Sequence, residues 1–286
     1  MKAHLLPLLV AAPFAVAGPF EPATIPADSN WYLHANLTNL RQTITGSSLI
    51  NFIRESQAET LAEIENIMQF DPLADLTDIT LFGSGQKNQD ALVLRGDFSQ
   101  ARFEEVIVNA DNHQTSTHGS TTVHQWDDKG KTQHAGFHDG KTVIISSRKD
   151  LVHLGLDVLA QKKPGLPATV ELPAKDPAVV VFANVDKVDM PDDEGSRIIR
   201  QAKSLMMTVG ENKQRLEMTM TVETDDPFTT ERLARVMEGL IALGQLADEK
   251  VSTLEIQTQT RIADKTMTMT MDLSAIKALE LLSQMR

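Results

Sequence analysis

The sequence predicts an α+β fold: two tandem, internally duplicated units of antiparallel sheet with helices packed on one face. Three observations carry this. The stretch Phe98 to Val106, FSQARFEEV, is echoed 130 positions later by Phe228 to Val236, FTTERLARV. Partial matches flank that echo in the same order, with His34-Ala35-Asn36 against Phe182-Ala183-Asn184, Gly85 to Gln89 against Gly210 to Gln214, and Lys141-Thr142 against Lys265-Thr266. Hairpin-spaced strands alternate with helical stretches throughout, and hairpins require antiparallel pairing. A repeat of this length constrains architecture more than chemistry, because the shared residues are those each unit needs to bury its own faces.

Residues 1–17 read as a secretory signal peptide: Lys2, then thirteen mostly apolar residues from Leu5 to Ala17, ending in small side chains before Gly18. The stretch is broken by Pro7 and Pro13 and falls short of the ~20 residues a membrane-spanning helix needs. The expected location is therefore secreted or periplasmic, with no stable membrane insertion after cleavage. Cleavage would leave 269 residues and a net charge of 26 minus 39, or -13. That excess of negative charge disfavours nucleic acid and anionic lipid and fits a neutral, cationic or protein ligand, so the expected partner is a protein, peptide or envelope component. The chain has no Cys, so folding rests on apolar burial without crosslinks.

Residues 18–28 hold three Pro and form an extended lead-in. The first unit, 29–161, opens with a strand from Trp31 to Leu37. The spacing of Leu49, Ile50, Ile53, Leu61, Ile64, Ile67 and Met68 predicts a long helix over 47–70, which ends before Pro72. A hairpin of 78–82 with 91–95 follows, then a helix capped by Asp97, a polar loop over 111–120, and strands at 121–126, 132–137 and 141–146. A helix over 149–161 closes the unit. Residues 162–176, with three Pro, read as a linker. The second unit, 177–286, repeats the plan: a strand at 178–185, a helix at 194–203 and a hairpin of 205–209 with 216–223. A helix follows from Asp226-Pro227 to about 246, then a hairpin of 251–262 with 265–271 and a final helix over 272–285.

The candidate chemistry is sparse. If 127–131 formed a three-residue hairpin loop, His124 would face His134 across a strand pair, and nearby His118 could add a third ligand for Zn²⁺ or Cu²⁺. Polar residues on a wet sheet face explain the same pattern. Met206, Met207, Met218, Met220, Met267, Met269 and Met271 could supply thioethers, but the repeat aligns Met267 and Met269 with Val143 and Ile145, which marks ordinary core positions. Trp31 and Trp126 are the aromatic side chains that could stack on a ligand. Arg102 and Arg232 fall at the same point of the two echoes and are the basic candidates for binding. No nucleophile elbow, zinc-protease helix, phosphate loop or dinucleotide fingerprint occurs, and Ser146-Ser147-Arg148-Lys149 lacks the accompanying motifs of an S-x-x-K enzyme. No catalytic residue and no cofactor is expected. These readings together point to an exported, non-enzymatic binding or envelope-associated protein. The alternatives are a His-based metal-binding protein, or a hydrolase whose residues only the fold assembles.

Overall fold

The computed structural model describes residues 20–170, 172, 176–190, 192–247, 252 and 254–284, so the signal-peptide reading of residues 1–17 lies outside them. The strands are β1 (Trp31–Asn36), β2 (Leu76–Gly83), β3 (Asp90–Gly96), β4 (Asp111–His118), β5 (Thr121–Asp128) and β6 (Lys131–Phe137). They continue with β7 (Thr142–Ser146), β8 (Val179–Asn184), β9 (Ser204–Asn212), β10 (Arg215–Glu223), β11 (Gln257–Ala263) and β12 (Thr266–Ser274). All twelve form one sheet in the order β11-β12-β10-β9-β8-β1-β2-β3-β7-β6-β5-β4, and every neighbouring pair is antiparallel. The sheet is open, with β11 and β4 as its edges. At its middle β1 pairs with β8, His34 opposite Val180, so the two stretches of sequence share a continuous sheet.

The helices are α1 (Leu37–Gln42), α2 (Ile44–Ser56), α3 (Ala58–Met68), α4 (Pro72–Asp75), α5 (Gln100–Val108), α6 (Lys149–Leu159), α7 (Glu194–Ile199), α8 (Pro227–Ala247) and α9 (Ala275–Gln284). They occupy both faces of the sheet, which corrects the expectation of helices on one face. On the first face, α6 packs so closely that a Cβ at Gly136 would stand 2.9 Å from Leu156. Here Tyr32, Phe82, Val93, Ile144 and Val152 form one core cluster. On the second face, α5 buries Phe103 and Ile107 against Ala135, Phe137 and Val143, and α8 buries Leu233 and Ala234 against Val222 and Met267. The physical reason is written in β7, whose Val143-Ile144-Ile145 run is apolar on consecutive residues, the pattern of a strand covered on both sides.

Local differences also have causes. The long helix expected over 47–70 is divided at Gln57, whose φ of -117° and ψ of 25° leave the helical region between α2 and α3. Asp97 does not cap α5; Ser99 does, its Oγ accepting from the Arg102 amide at 3.3 Å. Residues 111–118 are the edge strand β4 rather than a loop. Their polar sequence follows from exposure on an edge, where apolar side chains gain nothing.

The two echoed segments sit in different surroundings at their first residue. Phe98 is buried beside Phe70 and Phe103, whereas Phe228 is 65% exposed. Further along, the helical phase coincides: Phe103 and Leu233 are each 5% exposed. Residues 162–166 are packed rather than free. Ala27 donates its amide to the Pro164 carbonyl, Leu166 donates to Ile25, and a Cβ at Gly165 would lie 2.0 Å from the Ala23 carbonyl oxygen.

Candidate binding site

The expected site residues are dispersed. Trp31 on β1 and Trp126 on β5 are five strands apart, roughly 24 Å at about 4.8 Å per strand, too far to stack on one small ligand. Arg102 donates Nε to the Ile67 carbonyl at the end of α3 and pairs with Glu105 at 2.8 Å. Arg232 bonds Gln201 and lies over the Phe228 ring at 5.9 Å. Both guanidinium groups thus tie helices to neighbouring segments.

The hairpin between β5 and β6 closes one residue tighter than the metal reading required. Asp128 pairs with Lys131 around a two-residue turn, with Lys129 and Gly130 at φ of 48° and 77°, the left-handed pair of a type I′ turn. The slip puts His124 opposite Ala135 and His134 opposite Gln125, on opposite faces of the sheet. His124 meets His113, ring nitrogens 3.2 Å apart, and approaches Glu104 of α5 at 3.8 Å. His134 bonds Gln125 at 3.2 Å. His118 bonds Asp157 of α6 at 2.8 Å and stacks on His153 with ring centres 4.0 Å apart. Burial pushes the pKa of His124, His134 and His153 down, which favours neutral rings. Among the described residues, no three His, Asp or Glu side chains are placed to hold a metal ion.

Sequence reasoning missed the most perturbed polar group, at the centre of the sheet. His34 on β1 is 4% exposed, its Nδ1 lies 2.9 Å from Thr80 Oγ1, and its Nε2 has no hydrogen-bond partner among the described residues. Burial, with the charge of Arg95 adding to it, pushes its pKa down to about 4. On the same face, burial raises the pKa of Asp78, partly countered by Arg95, which itself pairs with Glu21 at 3.6 Å. Phe20 covers His34 edge-on at 5.3 Å. The hydroxyl against it, Thr80, is itself 6% exposed, and Phe20 of the lead-in shields the pair from water.

A different site opens on the second face, where β9, β10 and β12 turn Leu205, Met220, Val222 and Met267 toward α8. The i, i+4, i+7 spacing of Leu233, Met237 and Leu240 aims one stripe of α8 at that surface. The third wall is α7, started by Asp193, whose Oδ1 accepts from the Ser196 amide at 2.7 Å, with Ile198 and Ile199 on its inner side. Between them lies a pocket of about 220 Å³ lined by apolar side chains, including Ala202 at its base. Ile199 and Leu240 line it while remaining half exposed, so they mark its mouth. Among the described residues its wall carries no ionisable or hydroxyl group, so the site is suited to binding by displacement of water from apolar surface. Its volume is below the roughly 300–1,000 Å³ of whole-ligand pockets, so it fits one apolar group.

No protein-family model and no curated protein sequence matches the chain. Among solved structures, the fold is similar to crystal form III of TP0453, with a TM-score of 0.52 and 12% identity over 94% of this chain and 99% of that one. Crystal form IV of TP0453 aligns with a TM-score of 0.50 and 12% identity over 93% and 98% of the two chains. At that identity the likeness concerns the fold alone. Among the described residues no helix is long and apolar enough to cross a membrane.

Proposed function

We propose that this chain is an exported, non-enzymatic binding protein of the cell envelope, whose pocket between α7 and α8 takes a single apolar group, an alkyl tail or an aliphatic side chain, from an envelope component or peptide. The observation that carries the reading is the pocket's uninterrupted apolar wall, open at Ile199 and Leu240. Export rests on the leader-like composition of residues 1–17. The scarcity of convergent polar groups at the pocket supports binding over hydrolysis, and the separation of His124 from His134 weighs against the metal alternative.

We also read the chain as a duplication, with units at 29–161 and 177–286. Counted outward from the middle, β1-β2-β3-β7 and β8-β9-β10-β12 follow the same course, and α5 and α8 each leave the third of these strands. The copies would have diverged after duplication, since α6 covers the first face while α9 runs beside α2.

The test is fluorescence titration with a medium-chain alkyl probe. Saturable binding is expected, with at least a tenfold loss in Ala202→Phe, which fills the base of the pocket. Absence of saturable binding in the wild-type chain, or binding indifferent to Ala202→Phe, overturns the reading.

A further inference from the structure

The two edges of the sheet are built differently. At one edge, β4 carries a bulge between Asp111 and Gln114, with Asn112 at a φ of 55°, a device that twists an edge out of register for further pairing. At the other edge, β11 pairs with β12 without a break from Gln257 to Ala263. It contains no Pro, no Lys and a single charge, Arg261, and six of its seven residues are exposed. By the rules that keep natural sheets from joining edge to edge, β11 is unprotected.

Its sequence is also complementary to itself. Antiparallel pairing of two β11 strands about Thr260 would set Thr260 against Thr260, Gln259 against Arg261 and Thr258 against Ile262, with no like charges opposed. The two-fold axis of that pairing stands perpendicular to the sheet, so the two copies of α8 lie on the same face of the joined sheet, one on either side of the seam. The contacts of α8 run over β12 and β11, and Gln245 near its end reaches the Ile256 carbonyl at the entry to β11. This stretch of α8 exposes Leu240, Leu243 and Leu246, the last at 85%, while Ile262 is exposed on the same face of the edge strand. A specific dimer needs on the order of 1,200 Å² or more of buried surface, beyond what one strand edge supplies. An apolar band beside the unprotected edge would supply the remainder.

We propose that β11 is the docking edge for a second copy of this chain, which joins two twelve-stranded sheets into one across an isologous β11–β11 seam sealed by the leucines of α8. The seam draws on Leu243 and Leu246, whereas Leu240 belongs with Ile199 to the pocket mouth.

Sedimentation of the wild-type chain at concentrations up to about 100 µM tests it. A dimer is expected, and Thr260→Lys, which sets two ammonium groups against each other at the axis, should weaken it at least tenfold. Thr115→Lys on β4 should leave it unchanged. Hydrogen exchange gives a reading that does not depend on the variants: amides of residues 257–263 should gain protection as concentration rises. A wild-type chain that stays monomeric, a dimer indifferent to Thr260→Lys, one broken by Thr115→Lys, or concentration-independent protection of β11 each overturns the proposal.

Discussion

His34 should make the protein sensitive to mild acid. In the unfolded chain its imidazole titrates near 6.5, whereas in the fold burial and Arg95 hold it down to about 4. Between those values the unfolded state binds a proton that the folded state refuses, so stability rises with pH. The contribution is fully present above about pH 6.5 and is lost as pH falls toward 4. At about 1.36 kcal/mol per pKa unit, the loss from this residue between neutral pH and about pH 4.5 comes to roughly 2–3 kcal/mol. His124, His134 and His153 are shifted in the same direction and add to the loss, while Asp78, raised by burial, works against it at lower pH. The His34→Gln variant isolates the term, because an amide can still meet Thr80 but does not titrate. Urea unfolding of both proteins across this range should show the variant losing roughly 2–3 kcal/mol less than wild type on acidification. Parallel stability curves for the two proteins would refute the reasoning, as would a ring titration of His34 by NMR near 6.5.

Two further substitutions probe the layers on either face. Gly136→Val should destabilise by about 1–3 kcal/mol in urea unfolding, because its side chain meets Leu156 and Val152 where α6 lies on the sheet. Leu233→Ala should cost about 2–4 kcal/mol in the same assay by deleting a buried contact between α8 and Met267, and a neutral result would show that α8 is not packed as described.

The alternation of hairpins and helices made the α+β class legible, since 2-residue and 3.6-residue periodicities differ over short windows. The double-sided sheet was readable in Val143-Ile144-Ile145, but one three-residue run is easily taken for a strand with a single wet face. Strand β4 was hidden because Asn112, His113, Gln114, Thr115 and Ser116 bury no continuous face, so periodicity gives no signal. The histidine register turned on one residue of loop length; Gly130 hinted at the two-residue turn, and that slip separated His124 from His134. The pocket was not legible at all. Its walls come from residues as far apart as Gly195 and Met267, and each reads alone as ordinary core. His34 escaped notice because its neighbours Thr80 and Arg95 arrive from β2 and β3, some 46 and 61 positions further along the sequence.

Because β1 is flanked by β2 on one side and β8 on the other, the N-terminal portion cannot be completed by its own residues. As the polypeptide emerges, Trp31 to Asn36 must wait with one rim of backbone groups bonded only to water until Val179 to Asn184 are available. The strap of Phe20 to Ala27 is equally delayed, since Pro164 and Leu166 are its anchors. Closure of β1 and of the strap therefore depends on residues 164–184, and a product truncated near residue 161 would carry an open seam along β1.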